Sequence, residues 1–184
     1  HFKGKKCKSK EIKNRVESVL GNKQLEELLN EVDVVLPKKR NYIVENLYDH
    51  YGHTTYIEPL DEAGKIIDER YPEYKKEFEN LKKRRSAHMF NMLIMKKELL
   101  DEYCKWLFDI LFELEERTDS TKYNKFHARY IGRVSELLLD VWVNTNNVKY
   151  KEVKVLDIEP VNWLKKGMLF INSKFRGKKY EKSL

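Results

Sequence analysis

Three short stretches of the sequence combine imidazole, carboxylate and guanidinium groups at spacings that could do chemistry. In the first, Tyr48–His53, the residues His50 and His53 stand three apart, so their rings share one face if the stretch is helical. Such a pair could bind a metal, act as a general base, or hydrogen-bond a sugar and its phosphates. The zinc-binding pattern H-E-x-x-H is absent, which argues against a zinc hydrolase. The alternative is a polar aromatic loop on the domain surface, and the residues leave both interpretations open.

The second stretch places His88 and Asn91 inside the otherwise apolar run Ala87–Met95. Polar side chains in such a run cost free energy unless they are hydrogen-bonded. In α/β folds, polar residues at strand ends commonly face the ligand crevice. We therefore treat His88 and Asn91 as candidate substrate-binding residues, with a core histidine satisfied by backbone groups as an equal alternative.

The third stretch carries Arg129, Arg133 and Glu136 at positions i, i+4 and i+7, with His127 two residues before the first arginine. Two guanidinium groups can hold a diphosphate by bidentate contacts, and a glutamate can orient an arginine or accept a hydroxyl proton. Taken alone, the residues favour a simpler alternative, an internal Arg–Glu pair that ties the helix to its neighbours. The acidic pair Asp157 and Glu159 resembles a metal site only superficially.

The elements that must position these residues follow from the apolar periodicity. Helices are predicted before residue 31, around Ile66 with an end at Pro72, and from about Pro72 to Lys83. The clearest are predicted over Lys97–Glu116 and Lys125–Val143. Three strands are predicted over Asp33–Pro37, Ala87–Met95 and Tyr150–Ile158. This order indicates a helix-rich α/β fold with a few short strands. Three strands are too few for a complete nucleotide-binding sheet, so the other half of such an enzyme is expected upstream of His1.

Composition excludes several classes of protein. Of the 184 residues, 36% are charged, 41% hydrophobic and 12% aromatic, which is too aromatic for a disordered tail and too polar for an integral membrane protein. Two cysteines provide neither a disulfide framework nor a zinc site, so a reducing, cytoplasmic location is expected. The net charge of +7 is concentrated at the ends: residues 1–10 carry five lysines and no acid, and residues 164–184 carry seven basic residues and one acid.

Several stretches together resemble one family of proteins: Asp33–Arg40, Leu47–Tyr51, Ala87–Lys97, Glu102–Glu115 and Gly132–Trp142. They look like the bacterial capsular and exopolysaccharide glycosyltransferases long catalogued as a domain of unknown function. The resemblance runs from about Val32 to Trp163. Family members carry, upstream, a sugar-nucleotide-binding half that ends in a Cys-His-Tyr-Arg-Arg-aromatic motif, and His1-Phe2 looks like what directly follows its arginines.

This resemblance implies the C-terminal two-thirds of a GT-A-like (Rossmann-like) glycosyltransferase. Residues 1–31 would be a helical linker after the missing N-terminal half, residues 32–163 the C-terminal part of the transferase domain, and residues 164–184 a basic aromatic tail. The chain is then expected to be incomplete and inactive alone. The implied reaction moves a sugar from a nucleotide-diphosphate donor to a capsular or exopolysaccharide acceptor, expected to be lipid-linked.

The resemblance also suggests roles for the candidate residues. Glu136 and His127 are the predicted catalytic residues, and Glu136 would orient the arginines or act as a base if the reaction inverts the anomeric centre. Positive charge near the diphosphate would stabilise the leaving group, and the strand from His88 would line the acceptor side. The predicted substrate-binding residues are His50, His53, His88, Asn91, Arg129 and Arg133. No metal ligand is assigned, and a divalent cation, Mn or Mg, stays open as a cofactor of the full-length enzyme.

The alternative function is a non-catalytic basic module that binds nucleic acid or an anionic membrane surface. Against nucleic acid, the basic residues sit at the termini, the middle of the chain is acidic, and no nucleic-acid-binding motif occurs. We therefore expect no nucleic-acid partner. The tail at 164–184 could make peripheral contact with an anionic membrane, which would place the protein at the inner face of the bacterial membrane.

Overall fold

The computed structural model describes residues 9–155, in which helices outweigh short strands. The helices are α1 (Ser9–Glu17), α2 (Asn22–Glu31), α3 (Leu47–Thr54), α4 (Glu58–Arg70), α5 (Lys75–Lys83), α6 (Lys97–Arg117) and α7 (Tyr130–Thr145). The strands are β1 (Val34–Pro37), β2 (Arg40–Asn41), β3 (Ser86–Ala87), β4 (Ile94–Met95) and β5 (Tyr150–Val153). The prediction of a helix-rich α/β fold with a few short strands is confirmed.

The central strand β1 is buried along its whole length, as its uninterrupted apolar run predicts. It pairs antiparallel with β4, where Val35 lies opposite Ile94, and parallel with β5, where Leu36 lies opposite Glu152. Strand β5 confirms the first four residues of the strand predicted to begin at Tyr150. The strand ends at Val153, so the prediction is wrong at residues 154 and 155. Its part beyond residue 155, and the basic tail at 164–184, lie outside the described residues.

The predicted strand Ala87–Met95 is wrong in its middle. Its two ends are strands of different sheets: β3 pairs with β2, and β4 pairs with β1. Between them the chain turns at Phe90 and Asn91, whose φ angles are 85° and 48°. A pleated strand cannot continue through this left-handed backbone conformation. Asn91 is a local signal of this turn, because asparagine adopts the left-handed region more readily than most residues, whereas the apolar residues around it give none.

The two long helices form much of the core and give the site its rigid support. Helix α6 confirms the prediction for Lys97–Glu116 almost to the residue, and it packs against α4 and α7. Helix α7 begins at Tyr130 rather than at Lys125, because the Asn124 side chain accepts hydrogen bonds from the next backbone amides and holds residues 127–129 in a separate 3₁₀ turn. Between residues 9 and 155, no helix is both long and apolar enough to cross a bilayer.

Candidate functional site

The site is built on the first half of α7, along which the segment from His88 to Asn91 runs. The backbone amide of His88 donates to Asp140 Oδ2 at 3.1 Å, and that of Phe90 donates to the carboxylate of Glu136, one turn earlier on the helix. The side-chain nitrogen of Asn91 donates to Ser135 Oγ at 2.8 Å and to a backbone carbonyl oxygen at 3.2 Å. The second and third sequence stretches therefore meet at one face of α7.

The carboxyl group of Glu136 is partly buried and lies close to positive charge. Burial raises its pKa above the ordinary value. The hydrogen bond from the Phe90 amide and the charges of Arg133, Arg40 and Arg129 act in the opposite direction without cancelling the effect of burial. A carboxylate with a raised pKa accepts a proton more readily at neutral pH, which is the property that a general base requires.

The guanidinium group of Arg133 is fixed in orientation beside this carboxylate. It lies over the ring of Phe126 with its central carbon 4.2 Å from the ring centroid, and Nη2 donates to the Phe126 carbonyl oxygen at 3.3 Å. It acts on Glu136 through its charge, whereas the residues alone favoured a direct Arg–Glu pair. Arg129, one turn earlier along the chain, is exposed. The two arginines present positive charge to solvent near Glu136, as diphosphate binding requires.

Sequence reasoning missed two residues that complete this arrangement, Arg40 and Tyr42. The Arg40 guanidinium carbon lies 5.3 Å from the Tyr42 ring centroid and 6.0 Å from the Phe90 ring centroid. The Tyr42 ring in turn lies 4.0 Å from the ring of His50, centroid to centroid. One signal could have found them: a basic and aromatic segment directly follows the buried strand β1, and strand ends in α/β folds are where ligands bind.

His50 and His53 lie in α3 and share a face, as their spacing predicts for a helix. Both ring Nδ1 atoms approach one carboxylate, that of buried Glu45, at 2.8 Å and 2.6 Å. Burial lowers the pKa of His50, and Glu45 partly opposes that shift. His50 thus joins the site through its ring contact with Tyr42, and His53 keeps about half of its side chain exposed. Their role in substrate binding stays a prediction.

His88 is fully buried, with 0% of its surface exposed. Its Nδ1 lies 2.5 Å from Asp140 Oδ1, and its Nε2 lies 3.1 Å from Glu152 Oε1. The ring therefore joins the turn after β3 to α7 and to β5. The partners of the ring are two carboxylates rather than the backbone groups considered from the sequence. Its assignment as a substrate-binding residue stays a prediction.

His127 is buried in the turn that precedes α7, with its ring 4.9 Å from that of Tyr56 and 5.1 Å from that of Phe126. The Phe126 ring contacts the His127 ring on one side and the Arg133 guanidinium on another, so His127 is linked to Arg133 through Phe126. Its catalytic role stays a prediction. Within residues 9–155, no group of three or more His, Cys, Asp or Glu side chains is arranged to hold a metal ion.

Comparisons with known proteins agree with this fold. Residues 1–147 match the family described as "Domain of unknown function (DUF4422)", and the chain belongs to that family. Its fold is similar to that of a solved structure titled "WbbM bifunctional glycosytransferase apo structure", with a TM-score of 0.71 and 26% sequence identity. That similarity covers 83% of this chain and 28% of the other, so this chain spans less than a third of that protein's length. Among curated proteins, none matches the chain.

Proposed function

We propose that this DUF4422 protein forms part of a glycosyltransferase that moves a sugar from a nucleotide-diphosphate donor to a capsular or exopolysaccharide acceptor that is lipid-linked. The observation that carries the proposal is the similarity to a glycosyltransferase over 83% of the chain at 26% identity. The site described above supplies the chemistry, and its residues are assigned roles on that basis.

The arginines would bind the leaving group. Transfer breaks the bond between the anomeric carbon and a diphosphate oxygen, and the electron pair leaves with the nucleoside diphosphate. Fixed positive charge at that oxygen lowers the barrier because it stabilises the charge that develops in the transition state. Arg133 is held in one orientation by Phe126, and Arg129 and Arg40 lie near enough to influence the same carboxyl group.

Glu136 would accept the proton of the acceptor. In an inverting reaction the acceptor hydroxyl oxygen forms its bond to the anomeric carbon while its proton passes to the Glu136 carboxylate. Burial raises the pKa of this carboxyl group, so the protonated product state is less costly than for an exposed glutamate. The arginines would keep enough of the carboxylate ionised to start the reaction.

The proposal is tested by nucleotide release from the full-length protein, using a panel of UDP-, GDP- and dTDP-sugars with membrane-derived lipid-linked glycans as acceptor. Glu136→Gln keeps the size of the side chain but removes the base, so kcat should fall about a hundredfold. Glu98→Gln, at the exposed start of α6, is the matched control and should turn over at the wild-type rate.

Wild-type turnover by Glu136→Gln would remove the assignment of the base. If the wild-type protein released no nucleotide from any donor, glycosyl transfer itself would be contradicted. Binding of random duplex DNA that weakens steeply with salt, together with no binding of sugar nucleotides, would favour the basic binding module instead.

Peripheral contact with an anionic membrane belongs to the same proposal, because a lipid-linked acceptor is presented at a membrane surface. A basic residue near such a surface contributes about 1 kcal/mol, and residues 164–184 carry seven of them. Flotation with liposomes rich in phosphatidylserine should therefore depend on this tail. Unchanged flotation after deletion of residues 164–184 would contradict membrane contact through it.

A further inference from the structure

The conformation of Phe90 is unusual for an aromatic residue. Its φ of 85° lies in the left-handed region, where the other non-glycine residues of the described chain are asparagines, Asn91 and Asn147. Asparagine adopts this region readily, but a bulky side chain does so at a cost in free energy. Backbone strain of this kind persists only where surrounding contacts over-determine it, and it concentrates at functional sites.

The contacts that impose the strain involve the backbone amide of Phe90 and the side chain of Asn91, and not the Phe90 ring. The Phe90 amide is bound by Glu136, and the neighbouring Asn91 side chain is bound to Ser135 and to the backbone of α7. The side chain of Phe90 nevertheless keeps 50% of its surface exposed. Burial of the ring in the core therefore does not explain the strained turn.

The groups around the exposed ring match a particular class of ligand. A guanidinium group, that of Arg40, lies 6.0 Å from the Phe90 ring centroid, and the partly buried carboxylate of Glu136 binds the amide of the same residue. The electron-rich face of an aromatic ring attracts weakly positive C–H groups. A guanidinium group offers five donors and a carboxylate offers acceptors for hydroxyl groups. A saccharide ring carries both features, a face of C–H groups and a rim of hydroxyls.

We propose that Phe90 is a stacking platform for a saccharide ring, with Arg40 donating hydrogen bonds to the hydroxyl groups of that sugar. The inference rests on the proposed glycosyl transfer, whose site it extends to the sugar. The strained turn holds the ring out from α7 beside Glu136, so the platform is in place before the sugar arrives. Such pre-organisation reduces the entropy lost on binding.

Saturation-transfer NMR on the full chain tests this assignment with the methyl glycosides of glucose, galactose and mannose as probes. Magnetisation should pass from the protein to the ring C–H protons of at least one glycoside. Phe90→Gly should reduce that transfer by roughly threefold to tenfold, since ring stacking contributes affinity of that order. Phe90→Trp, which retains an aromatic face, should preserve it.

Glycine is the informative replacement because it adopts positive φ without strain. The thermal midpoint of Phe90→Gly should equal or exceed that of the wild type, which separates lost binding from lost folding. Phe108→Ala is the matched control: Phe108 lies on α6 with 47% of its surface exposed, close to the value for Phe90, and its ring stacks on Phe112. This variant should bind the glycosides as the wild type does.

The proposal is overturned if the wild type shows no transfer to any of the three glycosides, or if Phe90→Gly and the wild type give equal transfer. The nucleotide-release assay is independent of this result. Phe90-dependent glycoside binding without turnover would contradict the proposed function and leave the sugar platform standing, and turnover without such binding would do the reverse. Displacement of the glycoside by UDP-glucose would identify the donor's sugar as the occupant, and simultaneous binding would identify the acceptor's.

Discussion

The carboxylates of Glu136 and Asp140 lie one turn apart on α7, but they differ in burial and in hydrogen bonding. Asp140 is 1% exposed and accepts hydrogen bonds from both the backbone amide and the ring of His88. Glu136 is only partly buried, accepts a bond from one backbone amide, and lies among arginines that influence it by charge. Asp140 thus stabilises the structure, whereas Glu136, on the same helix, remains able to take up a proton.

The two regions are mechanically linked. The contacts of Asp140 and Glu152 with His88 fix the beginning of the segment whose turn, two residues later, carries the amide that binds Glu136. His88 and Asp140 are a rigid support, because both are buried and each would lose its hydrogen-bond partner if the segment moved, whereas the contact with Glu152 lies at the surface. Asp140 therefore helps to position the backbone whose amide contacts Glu136.

The largest expected effect comes from breaking the structural region. Asp140→Ala would leave buried donors of His88 without their acceptor and should lower the free energy of unfolding by about 3 kcal/mol or more. Urea unfolding followed by circular dichroism measures this change. The control is Asp101→Ala, which removes an exposed partner of Lys97 on α6 and should leave the free energy of unfolding nearly unchanged, because solvent screens this ion pair. Equal losses in the two variants would contradict the distinction drawn between the acids of α7.

A smaller effect is expected in the reactive region from Arg133→Lys. Lysine keeps the charge but loses the planar group that stacks on Phe126 and forms two-pronged contacts with phosphate. The affinity of the full-length protein for UDP or GDP should fall about tenfold, which corresponds to one charge-assisted hydrogen bond. Isothermal titration calorimetry measures it, with Arg117→Lys on α6 as the matched replacement. Unchanged nucleotide affinity in Arg133→Lys would remove this arginine from the diphosphate site.

The smallest expected effect is the change in the free energy of unfolding when Glu136 is replaced by glutamine. A carboxyl group whose pKa is raised on folding destabilises the folded state while it is ionised, and this penalty disappears as the pH falls toward the ordinary value of 4.5. Glu136→Gln should therefore be slightly more stable than the wild type at pH 7, by no more than about 1 kcal/mol. The difference should vanish below pH 4.5. Urea midpoints of the two proteins at pH 4 and pH 7 test the sign, and a wild type that is more stable at pH 7 would contradict it.

Local patterns in the chain were sufficient for the elements whose residues bury one continuous face or run. The apolar stripe of α6 and the uninterrupted apolar run of β1 predicted both elements nearly to their ends. The reason is that the spacing of apolar residues along the chain directly indicates which residues of an element are buried. The spacing of His50 and His53 predicted a shared face only if the stretch was helical, and the structure places both in α3. Part of the candidate site was predicted for the same reason. Polar residues within an apolar run, or charged residues repeated at helical spacing, can be recognised from the sequence alone.

Contacts between residues far apart in the chain were decided only by the tertiary structure. The partners of His88 lie 52 and 64 residues further along, and Arg40 reaches the site from β2, where it pairs with Ala87 of β3 directly before His88. The turn at Phe90 and Asn91 is held by hydrogen bonds to α7, and those of the Asn91 side chain reach residues 41 and 44 positions further along the chain. Hydrophobic periodicity reports which face of an element is buried, whereas hydrogen-bond partners and local charge depend on how the elements pack. For that reason the residue types suggested candidate chemistry, and only packing distinguished the partly buried Glu136 from the fully buried, hydrogen-bonded Asp140.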